Sequence, residues 1–320
     1  MAAGQFARAE NQAAHPSSDM LLLSLLPPGL AAPAGFPRVV GGQPVTEGRW
    51  PDVAAVWIGD EVSCTGTLIA PDLVLTAAHC AGNITAVTLG TTDHTEGGET
   101  IAVTATHLPP ADVGPYDVAV LVLAQPATVT PRPIAPPDVV QEHLADGAPV
   151  YIVGYGATDR WGSEYDSVLM EAVSVITDHD GSEPGRGFDP SLRPGGELGA
   201  GGAGVDSCFG DSGGPLFLVT DAGYYLVGVT SRGYSDFGPP CGGGGIYVRA
   251  DAVVDWIEEV TGRELSEDLP PEDTREIEVP ELPLEDPDPA PFDDLWDESD
   301  AWLLATLGAG GGESRFACRY

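Results

Sequence analysis

The sequence contains no lysine. Its 13 basic residues are all arginines, they stand against 49 aspartates and glutamates, and the formal net charge of the 320 residues is -36. Such an excess of carboxylates repels polyanions, which excludes binding to nucleic acid or to an anionic membrane surface. A GC-rich genome would explain the arginines, whereas a salt-rich environment would explain the carboxylates, because a dense anionic surface stays hydrated at high salt.

Long apolar runs are also missing, since none reaches the roughly 18 residues that a transmembrane helix needs. The best run covers residues 20–26 and precedes prolines and small residues, a pattern typical of the hydrophobic region and cleavage zone of a signal peptide. The first 19 residues carry two acidic side chains and little positive charge, so translation from Met20 and a disordered leader are the alternatives. We predict a leader over residues 1–38 and a secreted, extracellular protein.

Helical periodicity is scarce as well. Between residues 39 and 262, short β-branched runs alternate with clusters of Gly, Pro and Asp, which is the pattern of an all-β domain. The clearest runs are residues 67–76, 118–123, 150–154 and 224–230. Residues 251–260 differ, because their apolar side chains recur at helical spacing before Gly262, and they predict a closing helix.

The chain changes composition after Arg263. Sixteen acidic residues and many prolines fill residues 264–300, which is typical of solvated linkers and tails. We therefore end the folded domain near Arg263 and predict an acidic, Pro-rich tail over residues 263–320. The alternative to a fully disordered tail is one helix, formed by apolar side chains between residues 292 and 307, that docks on another surface.

Three short motifs contain residues suited to catalysis. His79 lies in the segment Leu-Thr-Ala-Ala-His-Cys, and Asp117 lies within an otherwise apolar strand that should be buried. A buried, unpaired carboxylate is costly, so Asp117 needs a hydrogen-bonding partner. Ser212 lies in Gly-Asp-Ser-Gly-Gly-Pro, where glycines on both sides leave the backbone free to expose the hydroxyl and to aim N–H groups at a developing oxyanion.

At these motifs the sequence resembles the trypsin-like (chymotrypsin-fold) serine endopeptidases, over about residues 39–262 and in the family's order of His, Asp and Ser. The resemblance implies an all-β fold of two packed six-stranded antiparallel barrels with a C-terminal helix. It also implies that Ser212 is the nucleophile, His79 the general base and acid, and Asp117 the group that orients the imidazole. The N–H groups of Gly210 and Ser212 would form the oxyanion hole.

The expected function is hydrolysis of peptide bonds by a monomer acting on a protein or peptide substrate. The alternative is a non-catalytic binding protein on the same scaffold. We expect no cofactor and no metal. Glu96 and Glu99 fall where some family members bind Ca²⁺, but the loop is short and such an ion needs six or more oxygen ligands.

The resemblance also implies two disulfides, Cys64 with Cys80 and Cys208 with Cys241, which would brace the site and favour an oxidising compartment. In the chain-entropy model these bridges contribute roughly 3 and 4 kcal/mol. A metal site is the alternative reading of the cysteines, but no further Cys or His lies at ligand spacing around either pair. Cys318 is left in the tail without an assigned partner.

Activation is implied by the segment around Arg38. Cleavage after Arg38 would create an α-amino group at Val39, which in the family turns inward and pairs with the aspartate that precedes the nucleophile, here Asp211. A carboxylate buried beside the oxyanion hole is stabilised only when such a counter-charge arrives, so the pair would act as a switch.

Substrate choice would depend on Asp206, six residues before Ser212, where trypsin-like members have the floor of the primary specificity pocket. A carboxylate there fits Arg or Lys. The residues that match the rest of this pocket are Ser207, Ser231, Gly233 and Gly245. Arg232 is a departure, because it stands where the family usually has Trp, and its charge is expected to neutralise Asp206 in part.

Overall fold

The computed structural model describes residues 39–235 and 238–268. Thirteen strands and two α-helices lie in these residues. The strands are β1 Gln43–Pro44, β2 Val53–Ile58, β3 Glu61–Ala70, β4 Leu73–Thr76, β5 Ile84–Leu89, β6 Glu99–His107, β7 Ala119–Leu123, β8 Pro149–Gly154, β9 Met170–Asp178, β10 Glu197–Ala200, β11 Pro215–Thr220, β12 Gly223–Gly233 and β13 Gly245–Arg249, and the helices are α1 Pro137–His143 and α2 Val254–Thr261.

Six strands close the first barrel in the order β2, β3, β4, β7, β6, β5. All neighbouring pairs are antiparallel. The run predicted as one strand over residues 67–76 is in fact the hairpin of β3 and β4, because the chain turns at Pro71 and Asp72. Proline has no N–H to continue a ladder, so the strand ends there.

The second barrel consists of β8, β9, β10, β13, β12 and β11, and pairing between β8 and β9 closes it. The two-residue strand β1 adds to the outer side of β9. The prediction of two six-stranded antiparallel barrels is therefore confirmed.

Strands at the junction of the barrels are apolar on both faces. In β2, Ala54 and Val56 belong to the core inside the first barrel, whereas Val53 and Ala55 belong to a core shared by both barrels. In β11, Leu216 packs inside the second barrel and Phe217 joins the shared core. Because side chains alternate between faces, a strand buried on both sides reads as a continuous apolar run.

Arg132 lies in the connection between the barrels and is almost fully buried. Its Nε and Nη2 donate to the two carboxylate oxygens of Asp52 at 2.9 Å each, and Nη1 donates to the carbonyl of Tyr224 at 3.1 Å. Asp52 precedes β2 of the first barrel and Tyr224 lies in β12 of the second. This buried ion pair therefore ties both barrels to the segment that joins them.

The predicted closing helix is confirmed as α2, which buries Trp256 and Ile257 and ends at Gly262 in the left-handed conformation, with φ +66°. Helix α1 was not predicted, because its Val139 and Val140 are only partly buried and give no long apolar face. Among the described residues, no helix has the length and apolar character needed to cross a membrane. The predicted leader and the tail from residue 269 lie outside the described residues, and the domain boundary stays a prediction.

Candidate active site

His79 and Asp117 meet at one end of the first barrel. His79 lies in a 3₁₀ turn, Ala78–Cys80, directly after β4. Its Nδ1 is 2.8 Å from Asp117 Oδ2, and its backbone N–H donates to Asp117 Oδ1 at 3.0 Å. Asp117 was expected inside a buried strand, but it precedes β7 and its side chain is 24% exposed. His79 is therefore the hydrogen-bonding partner that the largely buried carboxylate of Asp117 requires.

The carboxylate of Asp117 has a second partner, since Ser231 Oγ donates to Oδ2 at 2.7 Å. Burial by itself would raise the pKa of Asp117. The hydrogen bonds from His79 and Ser231, together with the charge of His79, outweigh burial and hold the pKa below its usual range. Asp117 is therefore an anion at neutral pH, as a group that stabilises an imidazolium must be.

Ser212 belongs to the second barrel but is joined to the first. Its carbonyl accepts the N–H of Thr65 in β3 at 2.9 Å. Gly213 follows with φ +81°, and a Cβ at this position would collide with the side chain of Thr76 in β4. Ser212, His79 and Gly210 line one cleft of about 930 Å³ between the barrels.

The backbone at Gly210, one of the two predicted oxyanion-hole residues, has a conformation that favours glycine. Gly210 has φ +93°, and a Cβ there would lie 2.9 Å from the Cα of Gly156. Its carbonyl is held by the hydroxyl of Thr65 at 2.9 Å. Within the part of the chain that the structure describes, the N–H groups of Gly210 and Ser212 have no hydrogen-bond acceptor. Both are available to an incoming oxygen.

Both implied disulfides are formed. Cys64 in β3 is bonded to Cys80, the residue after His79, and Cys208 is bonded to Cys241. The sulfur atoms of Cys64 and Cys80 lie with His79 close enough for a metal cluster, but their bond to each other removes the thiolates that a metal would need.

Asp211 is fully enclosed, and its carboxylate accepts the N–H groups of Gly156 and Cys208 at 2.8 Å each. Burial raises the pKa of Asp211 to about 7, although both N–H groups oppose the rise. Val39 is also fully buried, among side chains of the second barrel. Arg38, the predicted cleavage position, lies outside the described residues.

Asp206 is 1% exposed and pairs through its backbone with Val40. Its Oδ2 accepts the N–H groups of Gly242 and Gly244 at 2.9 and 3.1 Å, while Oδ1 has no partner among the described residues. Burial raises the pKa of Asp206 to about 6, against the effect of the backbone N–H groups. A buried carboxylate oxygen without a hydrogen-bond partner is suited to binding a cationic ligand group.

Of the other predicted pocket residues, Gly245 lies beside Asp206 and Ser207 follows it in the chain. Ser207, Ser231 and Gly233 line a narrow cavity of about 30 Å³ together with Ser212. A Cβ at Gly245 would lie 3.3 Å from both Asp206 Oδ1 and Ser207 Oγ, so glycine keeps the space beside them open.

The expectation that Arg232 neutralises Asp206 is wrong. Its guanidinium forms a bidentate ion pair with Glu197, with Nη1 to Oε1 at 2.7 Å and Nη2 to Oε2 at 3.0 Å. Glu197 is 3% exposed and occupies the start of β10, 35 residues away in sequence. Glu197 lies in no recognisable motif, so the sequence alone could not identify it as the partner of Arg232.

Other residues of the site were also missed. Thr65 contacts Gly210 and Ser212, and its hydroxyl accepts the N–H of Tyr155 at 3.1 Å. Its position in the Cys-Thr-Gly-Thr motif was the available signal. Glu99 accepts hydrogen bonds from the backbone and hydroxyl of Thr128, and therefore faces the chain rather than a shared site with Glu96.

This two-barrel fold is that of the trypsin-like, chymotrypsin-fold serine proteases, and His79, Asp117 and Ser212 lie where its two barrels meet. The family model described as Trypsin matches residues 39–257, more than half of the chain. The chain therefore belongs to the trypsin family.

Individual proteins similar to this chain are also serine proteases. The chain is 36% identical to Serine protease 56 of Homo sapiens over 239 residues and to Serine protease 56 of Mus musculus over 241 residues. Both alignments cover 69% of this chain but 38% of the relative, so the chain spans well under half of their length. Among solved structures, neuropsin, a serine protease expressed in the limbic system of mouse brain, matches with a TM-score of 0.58 and 26% identity, covering 68% of this chain and 98% of neuropsin.

Proposed function

We propose that this protein is a secreted serine endopeptidase that cleaves peptide bonds after Arg or Lys. The observation that supports the proposal is that His79, which is hydrogen-bonded to Asp117, lines the same cleft as Gly210 and Ser212. Two disulfides in one domain support export, because such bonds persist in oxidising compartments.

The chemistry begins when Ser212 Oγ attacks the scissile carbonyl while Nε2 of His79 takes the hydroxyl proton. The carbonyl oxygen becomes an oxyanion and accepts the N–H groups of Gly210 and Ser212. The C–N bond then breaks, His79 returns the proton to the leaving amine, and an acyl-enzyme remains. Water attacks the ester by the same route, with His79 again as base, and releases Ser212. Asp117 holds the imidazole and stabilises its cationic form throughout.

Specificity for Arg or Lys is supported by Asp206 and its unpartnered Oδ1. A cationic side chain entering between Ser207 and Gly245 would supply the missing partner of this oxygen.

Activation by cleavage after Arg38 is supported by the burial of Val39 and by the enclosed carboxylate of Asp211. The new α-amino group of Val39 would provide the counter-charge that Asp211 needs. Since Arg38 satisfies the preference assigned to Asp206, the enzyme can cleave its own precursor.

The test uses a fluorophosphonate probe, which labels covalently only a serine whose hydroxyl is activated. Cleaved protein should be labelled at Ser212 and should hydrolyse peptides after Arg. Ser212→Ala should lose both properties, with activity falling by several orders of magnitude at unchanged melting temperature. Ser191→Ala, which removes an exposed hydroxyl from a loop of the second barrel, is the matched control. An unlabelled wild-type protein with a correctly formed Val39 terminus would favour the non-catalytic binding protein instead.

A further inference from the structure

We infer that Arg232 and Glu197 form a positioning pair for the proposed catalytic aspartate, and that the pair acts through the hydroxyl of Ser231. The inference rests on the proposed function, since it assigns a role to Asp117 in catalysis. It concerns the position where this chain has Arg232 in place of the family's usual Trp.

The guanidinium of Arg232 is fixed in place by several contacts. Besides its bidentate bond to Glu197, Nη2 donates to the carbonyl of Gly187 at 2.9 Å. Glu197 is itself held, because its Oε2 also accepts the N–H of Asp189 at 2.7 Å. A planar group with this many bonds has one orientation, so the remaining N–H of Nη1 points in a defined direction.

That direction is toward Ser231. Arg232 Nη1 lies 3.2 Å from Ser231 Oγ, and Ser231 Oγ lies 2.7 Å from Asp117 Oδ2. A guanidinium can only donate, so Ser231 Oγ must accept from Arg232. Its own proton is then directed at Asp117. Without such a donor, a serine hydroxyl can rotate between several acceptors. Here Arg232 and Asp117 fix the direction in which the Ser231 hydroxyl donates.

A β-bulge makes the contact possible. In the pairing of β12 with β13, Thr230 lies opposite Tyr247 and Arg232 lies opposite Ile246, which leaves Ser231 as the extra residue. Adjacent residues in a regular strand project to opposite faces of the sheet. A bulge re-aims a side chain, and here it brings the side chains of Ser231 and Arg232 together.

The result is a chain of directed hydrogen bonds from Arg232 through Ser231 and Asp117 to His79. The positive charge polarises the Ser231 hydroxyl and makes it a stronger donor. Asp117 Oδ2 thus receives both Ser231 and His79 Nδ1, while Oδ1 receives the backbone N–H of His79. The carboxylate cannot rotate without breaking all three contacts.

A double-mutant cycle tests the inference on the cleaved, full-length protein. Arg232→Met should lower kcat about tenfold, the loss expected for one charge-assisted hydrogen bond, with a smaller change in KM. Because the effect passes through the hydroxyl, Arg232→Met should change kcat less than about twofold when Ser231 is already Ala. Glu197→Gln should act in the same direction as Arg232→Met and should also lose its effect in Ser231→Ala.

The pH profile supplies a second readout. A weaker donor at Asp117 leaves more negative charge facing His79, so the acid limb of kcat/KM should move to higher pH in Arg232→Met and in Ser231→Ala, and no further in the double variant. Arg186→Met is the matched control, since the side chain of Arg186 is about as exposed as that of Arg232 and pairs with Glu183 at 2.7 Å, but it touches neither Ser231 nor Asp117 in the described residues. It should leave kcat and the profile unchanged.

An equal loss of kcat on Arg232→Met with and without Ser231, or an unmoved acid limb, would overturn the inference. A wild-type protein that neither hydrolyses peptides nor reacts with the fluorophosphonate would overturn the proposed function instead. The pairing would then be judged by the NMR resonance of the His79 Nδ1 proton. This resonance should shift on Arg232→Met only while Ser231 is present, and a resonance that does not shift counts against the pair.

Discussion

At the scale of single residues, Asp206 links the structure to a measurable pH dependence. Its pKa is raised to about 6 by burial, so the carboxylate carries its charge only above that pH. Affinity for benzamidine, a small aryl cation, should therefore fall about tenfold for each pH unit below 6 and level off above 7. Inhibition constants measured between pH 4.5 and 8 check this expectation.

Asp206→Asn is the matched control, because it keeps the shape of the side chain and removes the titration. Its affinity for benzamidine should be weak and independent of pH over the same range. If the benzamidine inhibition constant of the wild-type protein does not change between pH 4.5 and 7, the assignment of Asp206 to the specificity pocket is wrong.

The buried carboxyl group of Asp211 is expected to make the stability of the folded protein depend on pH. Its pKa in the folded protein is about 7, above the ordinary value of 3.8, because burial disfavours the anion. The folded state thus holds this proton more tightly than the unfolded chain, and the stabilisation is complete below about pH 4 and lost as the pH rises through 7. In protein cleaved after Arg38, the Val39 amine would offset the loss until the amine deprotonates near pH 8.

Melting temperatures from pH 4 to 9 test this difference. Arg38→Gln protein, which cannot be cut after Arg, should lose this stabilisation progressively between about pH 4 and 7. Ser212→Ala protein cut after Arg38 by an added protease should retain it to about pH 8. Parallel curves for the two proteins would show that Val39 does not reach Asp211.

Sequence motifs identified some of these residues and not others. His79, Ser212 and Asp206 became candidates because they lie in short segments that resemble family motifs, and their roles remain predictions. The partner of Arg232 could not be predicted, since Glu197 is 35 residues away and becomes a neighbour only when β10 and β12 enter one barrel. The effect of burial on Asp206 and Asp211 likewise requires the packed structure.

At the scale of elements, the disulfide of Cys64 and Cys80 fastens β3 to the turn that carries His79. Replacing both cysteines by Ala should lower the free energy of unfolding by about 3 kcal/mol, because the unfolded chain gains loop entropy. It should also reduce activity at low urea, since Cys80 directly follows His79. Urea unfolding and peptide hydrolysis measured on the same samples provide the check.

The second disulfide is the natural comparison. Removing Cys208 and Cys241 together should cost about 4 kcal/mol, because the closed loop is longer. An unchanged urea midpoint for either double variant would contradict the stabilising role assigned to that bridge.

Elements differ in how clearly the sequence marks them. Helix α2 was predictable because Val253, Ile257 and Gly262 combine helical spacing with a stop signal. Helix α1 was not, since its seven residues follow a proline and bury no complete face. The hairpin of β3 and β4 was read as one strand because both strands are apolar and their turn at Pro71 and Asp72 is only two residues long.

At the scale of the whole molecule, the net charge of -36 is expected to determine how stability depends on salt. Six arginines of the described residues form ion pairs with carboxylates, so most acidic groups repel one another without a cation beside them. Raising NaCl from 0.1 to 1 M shortens the screening length from about 10 to 3 Å. The melting temperature should rise over this range, and KCl should act like NaCl. A fall in both salts would contradict a surface adapted to salt.

The junction of the barrels has a consequence for when the enzyme can act. Asp117 and His79 belong to the first barrel and Ser212 to the second, and they are brought together by contacts such as Thr65 N–H with the Ser212 carbonyl. The proposed site is therefore complete only when both barrels are folded and docked against each other. A chain in which only one barrel is folded is therefore expected to have no proteolytic activity.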